Sequence, residues 1–321
     1  MYALLTDARC TVCGQETTEI TGYGGRYYCP THLHRFSENV PLIWRASTLT
    51  FSLMLLAVLG TGIASLILPA ETQDAPRLAV SVGYAVLPAL IWLLILYQAA
   101  ARGRLELSPL LPTVFVLAAL IAAAVTRPFL SDLLALNLWL TRTSQINRLL
   151  GNLLICGPIN VFALYAIVRY TVWHTPIFTR RTDGILYALA AGWGYTTAIN
   201  LMFVIDLGGL TLLSGSLRLV GQTCAYLAPS LVIGFVLGHN RFENLPFYYL
   251  PAGVTAAGVL NGALLYAGSE LNSTRLDLTA SGFSPWPGVV ISLLTLAGVF
   301  GAVYGLLKRY NALTEARLGH R

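Results

Sequence analysis

The chain has 321 residues, of which 56% are hydrophobic and only 11% are charged, and its mean hydropathy is +0.67. Soluble domains carry about 25% charged residues, so this composition excludes a water-soluble globular protein and indicates a polytopic membrane protein. The formal net charge of +6 does not indicate a nucleic-acid partner, because the arginines are scattered at the ends of apolar segments and form no basic patch.

The polar segment 1–40 contains two short pairs of metal-binding side chains. Two residues separate Cys10 from Cys13, two separate Cys29 from His32, and fifteen residues lie between the pairs. This spacing matches the Cys3His set of structural Zn²⁺, with a disulfide or uncommitted thiols as the alternatives. Four protein ligands close a zinc site, so we expect a structural ion whose binding supplies the folding energy of a zinc-ribbon-like module.

From residue 42 to about 310 the chain is apolar and its segments are long enough to cross a bilayer. We predict an all-α polytopic membrane protein with about eight transmembrane helices, preceded by the zinc module. The predicted spans are 45–69, 78–101, 107–126, 149–173, 184–206, 217–238, 246–270 and 287–307.

The distribution of basic residues predicts the orientation of the spans in the cell membrane. Eight spans place both termini on one side, and with the N-terminus inside, fourteen of the 20 Lys and Arg fall inside and six outside. This bias favours cytoplasmic termini. The reducing cytoplasm also suits zinc thiolates.

The segment Pro128–Arg148, between the third and fourth predicted spans, is too polar to cross the membrane. Its leucines and Phe129 are interleaved with Asp132, Asn137 and Arg142. This pattern predicts an amphipathic helix lying on the outer leaflet.

Polar residues are rare inside the predicted spans, and where they occur they mark positions of interest. Asn160, Asn200, Tyr226 and Asn261 lie within spans four to seven. No histidine lies in the core of a predicted span. The acids Asp183, Asp206 and Glu270 lie near span ends, so we predict no general base or metal-ligand set at mid-membrane depth.

The stretch Asp183–Asn200 reads DGILYALAAGWGYTTAIN. It resembles the PrsW family of intramembrane proteases, which is related to the CAAX-prenyl-protease type. That family has Asp-Gly, a Tyr, Gly-x-Gly-Phe and a final Glu-Asn at this point. The Asp-Gly pair, Tyr187, the Gly-x-Gly and Asn200 match, Tyr195 stands for the Phe, and Ile199 takes the place of the catalytic Glu.

The resemblance covers about 149–268 and is carried by a glycine framework. At the family's Glu-Glu-x-x-Lys motif stand Asn160, Val161 and Leu164. Tyr226 takes the place of one catalytic His and Asn261 that of the second. The resemblance therefore implies an intramembrane protease scaffold whose catalytic positions are replaced, and no catalytic residue is predicted.

Isolated amides are costly in a bilayer, so we predict that Asn160, Asn200, Tyr226 and Asn261 form a hydrogen-bonded polar core. The alternative is that each polar group satisfies a neighbouring backbone carbonyl.

We expect a pseudoprotease that acts as a membrane-protein-binding or regulatory scaffold. One alternative is an active endopeptidase that uses Asp183, Asp206 or Glu270, and another is a multi-pass transporter. The expected partners are the lipid bilayer and other membrane proteins, without nucleic acid.

Overall fold

A computed structural model describes residues 9–16, 21–23, 26–38, 40–67, 77–103, 105–210, 212–271 and 286–319. These residues form a helical membrane bundle with a small module at its N-terminus. The elements are β1 (Thr21–Tyr23), β2 (Arg26–Tyr28), α1 (Pro30–Arg35), α2 (Pro41–Ile67), α3 (Arg77–Ala101), α4 (Leu110–Ile121), α5 (Leu136–Trp139), α6 (Gln145–Gly151), α7 (Gly157–Thr171), α8 (Arg181–Asp206), α9 (Leu212–Phe242), α10 (Tyr249–Tyr266) and α11 (Trp286–Gly319).

Eight helical segments are long and apolar enough to cross a membrane, as the sequence predicts. They are Pro41–Ala64, Arg77–Ala101, Leu110–Leu133, Gln145–Thr171, Arg181–Asp206, Gly215–Phe242, Tyr249–Glu270 and Trp286–Arg317. The protein is therefore an all-α polytopic integral membrane protein. The third and last spans extend further than predicted, because the amphipathic residues that follow each apolar stretch continue its helix.

The centre of the bundle is the pair α8 and α9. Residues buried inside the protein make up 67% of the most apolar window of α8 and 78% of that of α9, against 22–39% for the other six spans. The remaining spans surround this pair, so residues on α8 and α9 are the ones that the fold shields most completely from lipid.

Glycines allow α8 to approach its neighbours closely. A Cβ atom built on Gly184 would lie less than 3.0 Å from backbone atoms of Gly234 and Gly238 in α9, and one on Gly194 would meet the backbone of Phe115 in α4 at a similar distance. Such close backbone approach is how small residues serve packing in membranes. The glycines of the Asp183–Asn200 stretch therefore serve helix contact.

The segment Pro128–Arg148 does not form the single interfacial helix predicted from its pattern. Phe129–Leu133 continues the third span as a π-helical turn, Leu140–Arg142 is a 3₁₀ turn, and Gln145 begins the fourth span. Ala135 adopts a left-handed conformation with φ of 49° just before α5. This left-handed residue breaks the helix, so the spacing of apolar residues across the whole segment did not correspond to one continuous helix.

The fourth span changes its winding in its middle. The turn Asn152–Cys156 is π-helical, and α7 begins at Gly157-Pro158. Proline lacks an N–H and its ring collides with the carbonyl four residues earlier, so a widened turn before it accommodates the strain. The same turn lines the cavity described below.

The N-terminal module consists of the β1–β2 hairpin, the turn around Cys10 and Cys13, and α1. The strands pair antiparallel with Gly22 opposite Tyr27. Tyr23 and Tyr28 are buried, but Tyr27 is exposed. Tyr27 lies on the opposite face of its strand from Tyr28, so only Tyr23 and Tyr28 contribute to the core of the module.

Candidate functional site

Two of the predicted polar residues bind each other in the middle of the bundle. The side-chain amide of Asn160 in α7 donates to Oδ1 of Asn261 in α10 at 3.2 Å. The amide of Asn261 in turn donates to the backbone carbonyl of Ala225 in α9 at 2.8 Å. Both asparagines are buried. The pair thus joins three helices near the middle of their spans, where lipid offers no hydrogen-bond partner.

Tyrosines complete this network. The hydroxyl of Tyr195 in α8 donates to Oδ1 of Asn160 at 2.7 Å. The ring of Tyr195 packs against that of Tyr226 in α9, with centroids 5.1 Å apart. Gln222, one helical turn before Tyr226, lies within hydrogen-bonding reach of the Tyr226 hydroxyl. We call Asn160, Tyr195, Tyr226 and Asn261 the polar core. It connects α7, α8, α9 and α10.

Asn200 does not join the polar core. Its amide donates to the hydroxyl of Thr223 at 3.2 Å and lies 3.5 Å from the carbonyl oxygen of Leu219. Ile199 is partly buried and packs among apolar side chains. The predicted single core is therefore divided into two sites, because Asn200 lies more than one helical turn beyond Tyr195 on α8.

A cavity of about 280 Å³ opens beside the polar core. Asn160 and Tyr226 line it, together with Asn152 and Cys156 from the π-helical turn and Gln222 from α9. The first turns of α9 and α11 and the end of α10 also contribute to its wall. It therefore extends from the middle of the membrane toward the end of the bundle opposite the N-terminal module.

The three acids considered as atypical catalysts do not reach this cavity. Asp183 begins α8, where its carboxylate accepts the backbone N–H groups of Thr179 and Arg180 at 2.8 Å each. Asp206, at the other end of α8, forms an ion pair with Arg127.

Glu270, near the end of the seventh span, pairs with Arg148 at 3.0 Å. Neither Glu270 nor the other two acids line the cavity. Each acid thus has a partner that orders a helix end.

The polar core does not fit a catalytic metal ion. Its side chains are neutral amides and phenols, and Asn160, Tyr195 and Asn261 are bonded to one another and to Ala225. Hydrolytic metal sites take His, Cys and carboxylate ligands and keep one open position. Within the described ranges, three or more such residues come together only in the N-terminal module.

In that module Cys10, Cys13, Cys29 and His32 form a compact group. All four ligand atoms lie within 4.8 Å of one another. Nδ1 of His32 is 3.7 Å from the sulfur of Cys10 and 3.1 Å from that of Cys29. Ligands at bond lengths of about 2.0–2.3 Å around a tetrahedral ion lie roughly 3.5–3.8 Å apart. The residues therefore fit a four-coordinate metal ion.

The surroundings of Cys10 and His32 favour their metal-binding forms. Burial would raise the pKa of the Cys10 thiol, but backbone hydrogen bonds from Cys13, Cys29 and Val12 stabilise the thiolate and leave its pKa below the ordinary value. Burial lowers the pKa of His32, and Arg35 acts in the same direction. A thiolate and a neutral imidazole are the species that coordinate metals.

The Cys13 thiol behaves differently from Cys10. Burial and the neighbouring Cys10 and Cys29 raise its pKa. Repulsion between neighbouring thiolates raises the pKa of closely spaced thiols. A bound cation offsets this repulsion by neutralising the thiolates.

The module packs tightly on the bundle. Phe36, which ends α1, is fully buried and stacks on Phe242 of α9 with centroids 5.6 Å apart. The Tyr28 hydroxyl donates to the Phe242 carbonyl at 2.6 Å, and Arg26 donates to the carbonyls of Arg241 and Asn240. The module is thus continuous with the hydrophobic core of the membrane domain.

Arg181 is the charged centre of this contact. Only 1% of its surface is exposed. Its guanidinium pairs with Glu243 at 2.7 Å and donates to Asn311 and Thr314 of α11 at 3.0 Å each. Its backbone N–H donates to the carbonyl of Phe36 at 3.1 Å. One residue therefore connects the module, α9 and α11 at the start of α8.

Sequence reasoning missed Tyr195 and Arg181 as site residues. Tyr195 was noted only as the replacement of a family Phe, yet that replacement adds the hydroxyl that binds Asn160. Arg181 follows Arg180 just before an apolar span, a position that suggests an exposed topology signal. Nothing in the sequence indicates that it is buried.

Comparison with known protein families identifies a match for this chain. The model of the PrsW family of intramembrane metalloproteases matches residues 108–300, which contain the region 149–268 and all four polar-core residues. No curated protein and no solved structure matches the chain.

Proposed function

The chain belongs to the PrsW family of intramembrane metalloproteases, and we propose that it is a member that binds other membrane proteins without hydrolysing them. The observation that carries this proposal is the hydrogen-bonded polar core. Asn160, Tyr226 and Asn261 stand where the resemblance puts catalytic Glu and His residues, and two of them bind each other directly.

The chemistry of these side chains explains why hydrolysis is not expected. Metal-dependent proteolysis needs an ion that lowers the pKa of a bound water and a base that takes its proton. An asparagine amide does neither at neutral pH. Ile199, in the place of the family Glu next to Asn200, is apolar.

The cavity beside the polar core supports a binding role. Asn152 and Gln222 present amides on its wall, and Cys156 and Leu265 add apolar surface. Amides in a low-dielectric cavity suit the backbone groups of a locally unwound transmembrane segment, which otherwise lack partners in lipid. We therefore infer that part of another membrane protein occupies this cavity.

We also propose that the Cys3His group holds a structural Zn²⁺. Four protein ligands leave no open position for a substrate or water. We propose that the module and both termini lie in the cytoplasm, where reducing conditions preserve thiolates and where most of the basic residues of the chain would lie.

A cleavage assay tests the proposal. The full chain is reconstituted in liposomes with a helical membrane substrate, beside an active family member as positive control. We expect the substrate to remain intact while the control cleaves it. Cleavage by this chain that is abolished by Glu270→Gln or Asp206→Asn would contradict the proposal and favour the atypical endopeptidase.

A further inference from the structure

A second cavity, of about 500 Å³, lies where the N-terminal module meets the membrane domain. Its wall contains Arg35 of the module, Arg45 in α2, Glu106 from the connection between α3 and α4, and Arg180 just before α8. We call it the arginine pocket. Because α2 and α8 begin and α3 ends at this level, the pocket lies at the end of the helical bundle that contacts the N-terminal module.

Positive charge exceeds negative charge in the arginine pocket. Nε of Arg180 lies 3.0 Å from the carboxylate of Glu38, and Nη2 of Arg180 lies 3.6 Å from that of Glu106. Arg35 also pairs with Glu106. Among the residues that the structure describes, no carboxylate lies within ion-pair distance of Arg45. Among the described lining residues, three guanidiniums thus face two carboxylates, which leaves one unbalanced positive charge.

The structure of the pocket wall also favours the binding of an anion. Arg180 is 8% exposed, so its guanidinium is held in place by its surroundings and little entropy is lost when it binds a ligand. Pro41 and Leu42 contribute the first turn of α2, and the N-terminal end of a helix carries partial positive charge. Val40 and Leu105, both buried, provide apolar surface beside the charges.

We propose that the arginine pocket binds a phosphate group that carries one negative charge. Guanidiniums bind phosphate oxygens in bidentate fashion, and a singly charged phosphodiester would balance the excess charge. The source is either the headgroup of an anionic phospholipid or a soluble phosphate ester. Phosphates of a leaflet lie at the level where spans leave the hydrocarbon, which is where the pocket lies.

This site does not depend on whether the protein cleaves substrates. Arg35 and Glu38 come from the module and Arg45 from α2, all outside the matched family region 108–300. Most of the pocket wall therefore lies outside the part of the chain that matches the family.

The test uses the full chain in nanodiscs of phosphatidylcholine with or without phosphatidylglycerol. Native mass spectrometry counts the phosphatidylglycerol molecules retained by wild type, Arg45→Gln and Arg102→Gln. Arg102 is an exposed arginine just after α3 that does not line the pocket, so it is a matched control for charge. We expect Arg45→Gln to weaken retention about tenfold, since it removes a hydrogen bond between charged groups, and Arg102→Gln to leave it unchanged.

A second arm distinguishes the two sources of phosphate. Glycerol 3-phosphate is added to the three proteins in phosphatidylcholine nanodiscs, and the thermal unfolding midpoint is measured. A rise in wild type and Arg102→Gln that is absent in Arg45→Gln assigns the pocket to a soluble phosphate ester. The proposal would be overturned if Arg45→Gln retained as much phosphatidylglycerol as Arg102→Gln in the first arm and had the same midpoint with glycerol 3-phosphate in the second. Equal midpoints without ligand verify that Arg45→Gln is folded.

Discussion

The asparagine pair at the middle of the bundle has a structural role, because it joins helices by hydrogen bonds. Asn160 and Asn261 accept and donate hydrogen bonds within the protein and carry no charge. In a bilayer, a neutral amide that is fully bonded costs far less than an ionised Glu or His at the same depth. The two amides thus link α7, α9 and α10 without placing a charge at this depth.

A double-mutant cycle tests this role at the level of residues. Asn261→Leu leaves the carbonyl of Ala225 and the amide of Asn160 without their partner, so we expect a loss of about 1–3 kcal/mol in the free energy of unfolding. Asn160→Leu should cost a similar amount, since it also removes the Oδ1 acceptor of the Tyr195 hydroxyl. Unfolding in mixed micelles measures each value.

The coupling energy between the two substitutions is the decisive quantity. Hydrogen bonds between transmembrane helices contribute about 0.6 kcal/mol on average and up to about 1.7 kcal/mol. We expect coupling in this range for the pair Asn160 and Asn261. Asn200→Leu, whose partner is Thr223, serves as a control and should be additive with Asn261→Leu. Additive effects of Asn160→Leu and Asn261→Leu would show that the pair is not formed.

Among the helices, α8 lies at the centre of the bundle with α9. Its first turn is held by the Asp183 carboxylate, and Gly184 then allows α9 to approach. The Asp-Gly of the family pattern therefore has a structural explanation in this chain. Asp183 caps the helix, and the glycine removes a side chain from the contact with α9.

Substitution of two glycines tests the close approach. A Cβ on Gly184 would lie less than 3.0 Å from backbone atoms of α9, whereas one on Gly298 of α11 meets no atom within 4 Å. We expect Gly184→Ala to destabilise the protein by about 1–3 kcal/mol through overpacking. Gly298→Ala should leave stability unchanged or slightly higher, because alanine favours helix. Equal unfolding midpoints for the two variants would contradict the packing at Gly184.

The membrane-spanning helices could largely be predicted from the sequence. Long apolar runs define spans because every backbone group must be satisfied within the helix, so all eight spans were predicted within several residues at most ends. The connection from Pro128 to Arg148 was predicted wrongly, because the left-handed residue Ala135 has no marker such as glycine. The sequence also could not show that Asn200 binds Thr223, since that depends on the relative register of α8 and α9.

For the whole molecule, the main finding is that the module is part of the folded bundle. Aromatic stacking between Phe36 and Phe242 and the buried Arg181 connect it to three spans. The spacing of Cys10, Cys13, Cys29 and His32 was enough to predict the cluster, since local chelating pairs are visible in sequence. Its docking was not predictable, because the contacts join residues more than 140 positions apart.

Chelation of the proposed metal ion tests this connection. Chelation in the full chain should loosen the module and remove its contacts with the start of α8 and the end of α9. Hydrogen exchange should then increase in 181–184 and 239–243 and remain unchanged in the middle of α4, which is remote from the module. If the metal is removed and exchange at 181–184 does not change, the docking of the module does not depend on the ion.

We propose that the protein holds one metal ion in its module and none in its membrane core. Zinc content per chain, measured on the purified full-length protein, tests both parts together. We expect about one zinc in wild type and in Cys156→Ser, whose thiol lines the membrane cavity, and close to none in Cys29→Ser. Two zinc ions per chain, or one that remains in Cys29→Ser, would contradict the account.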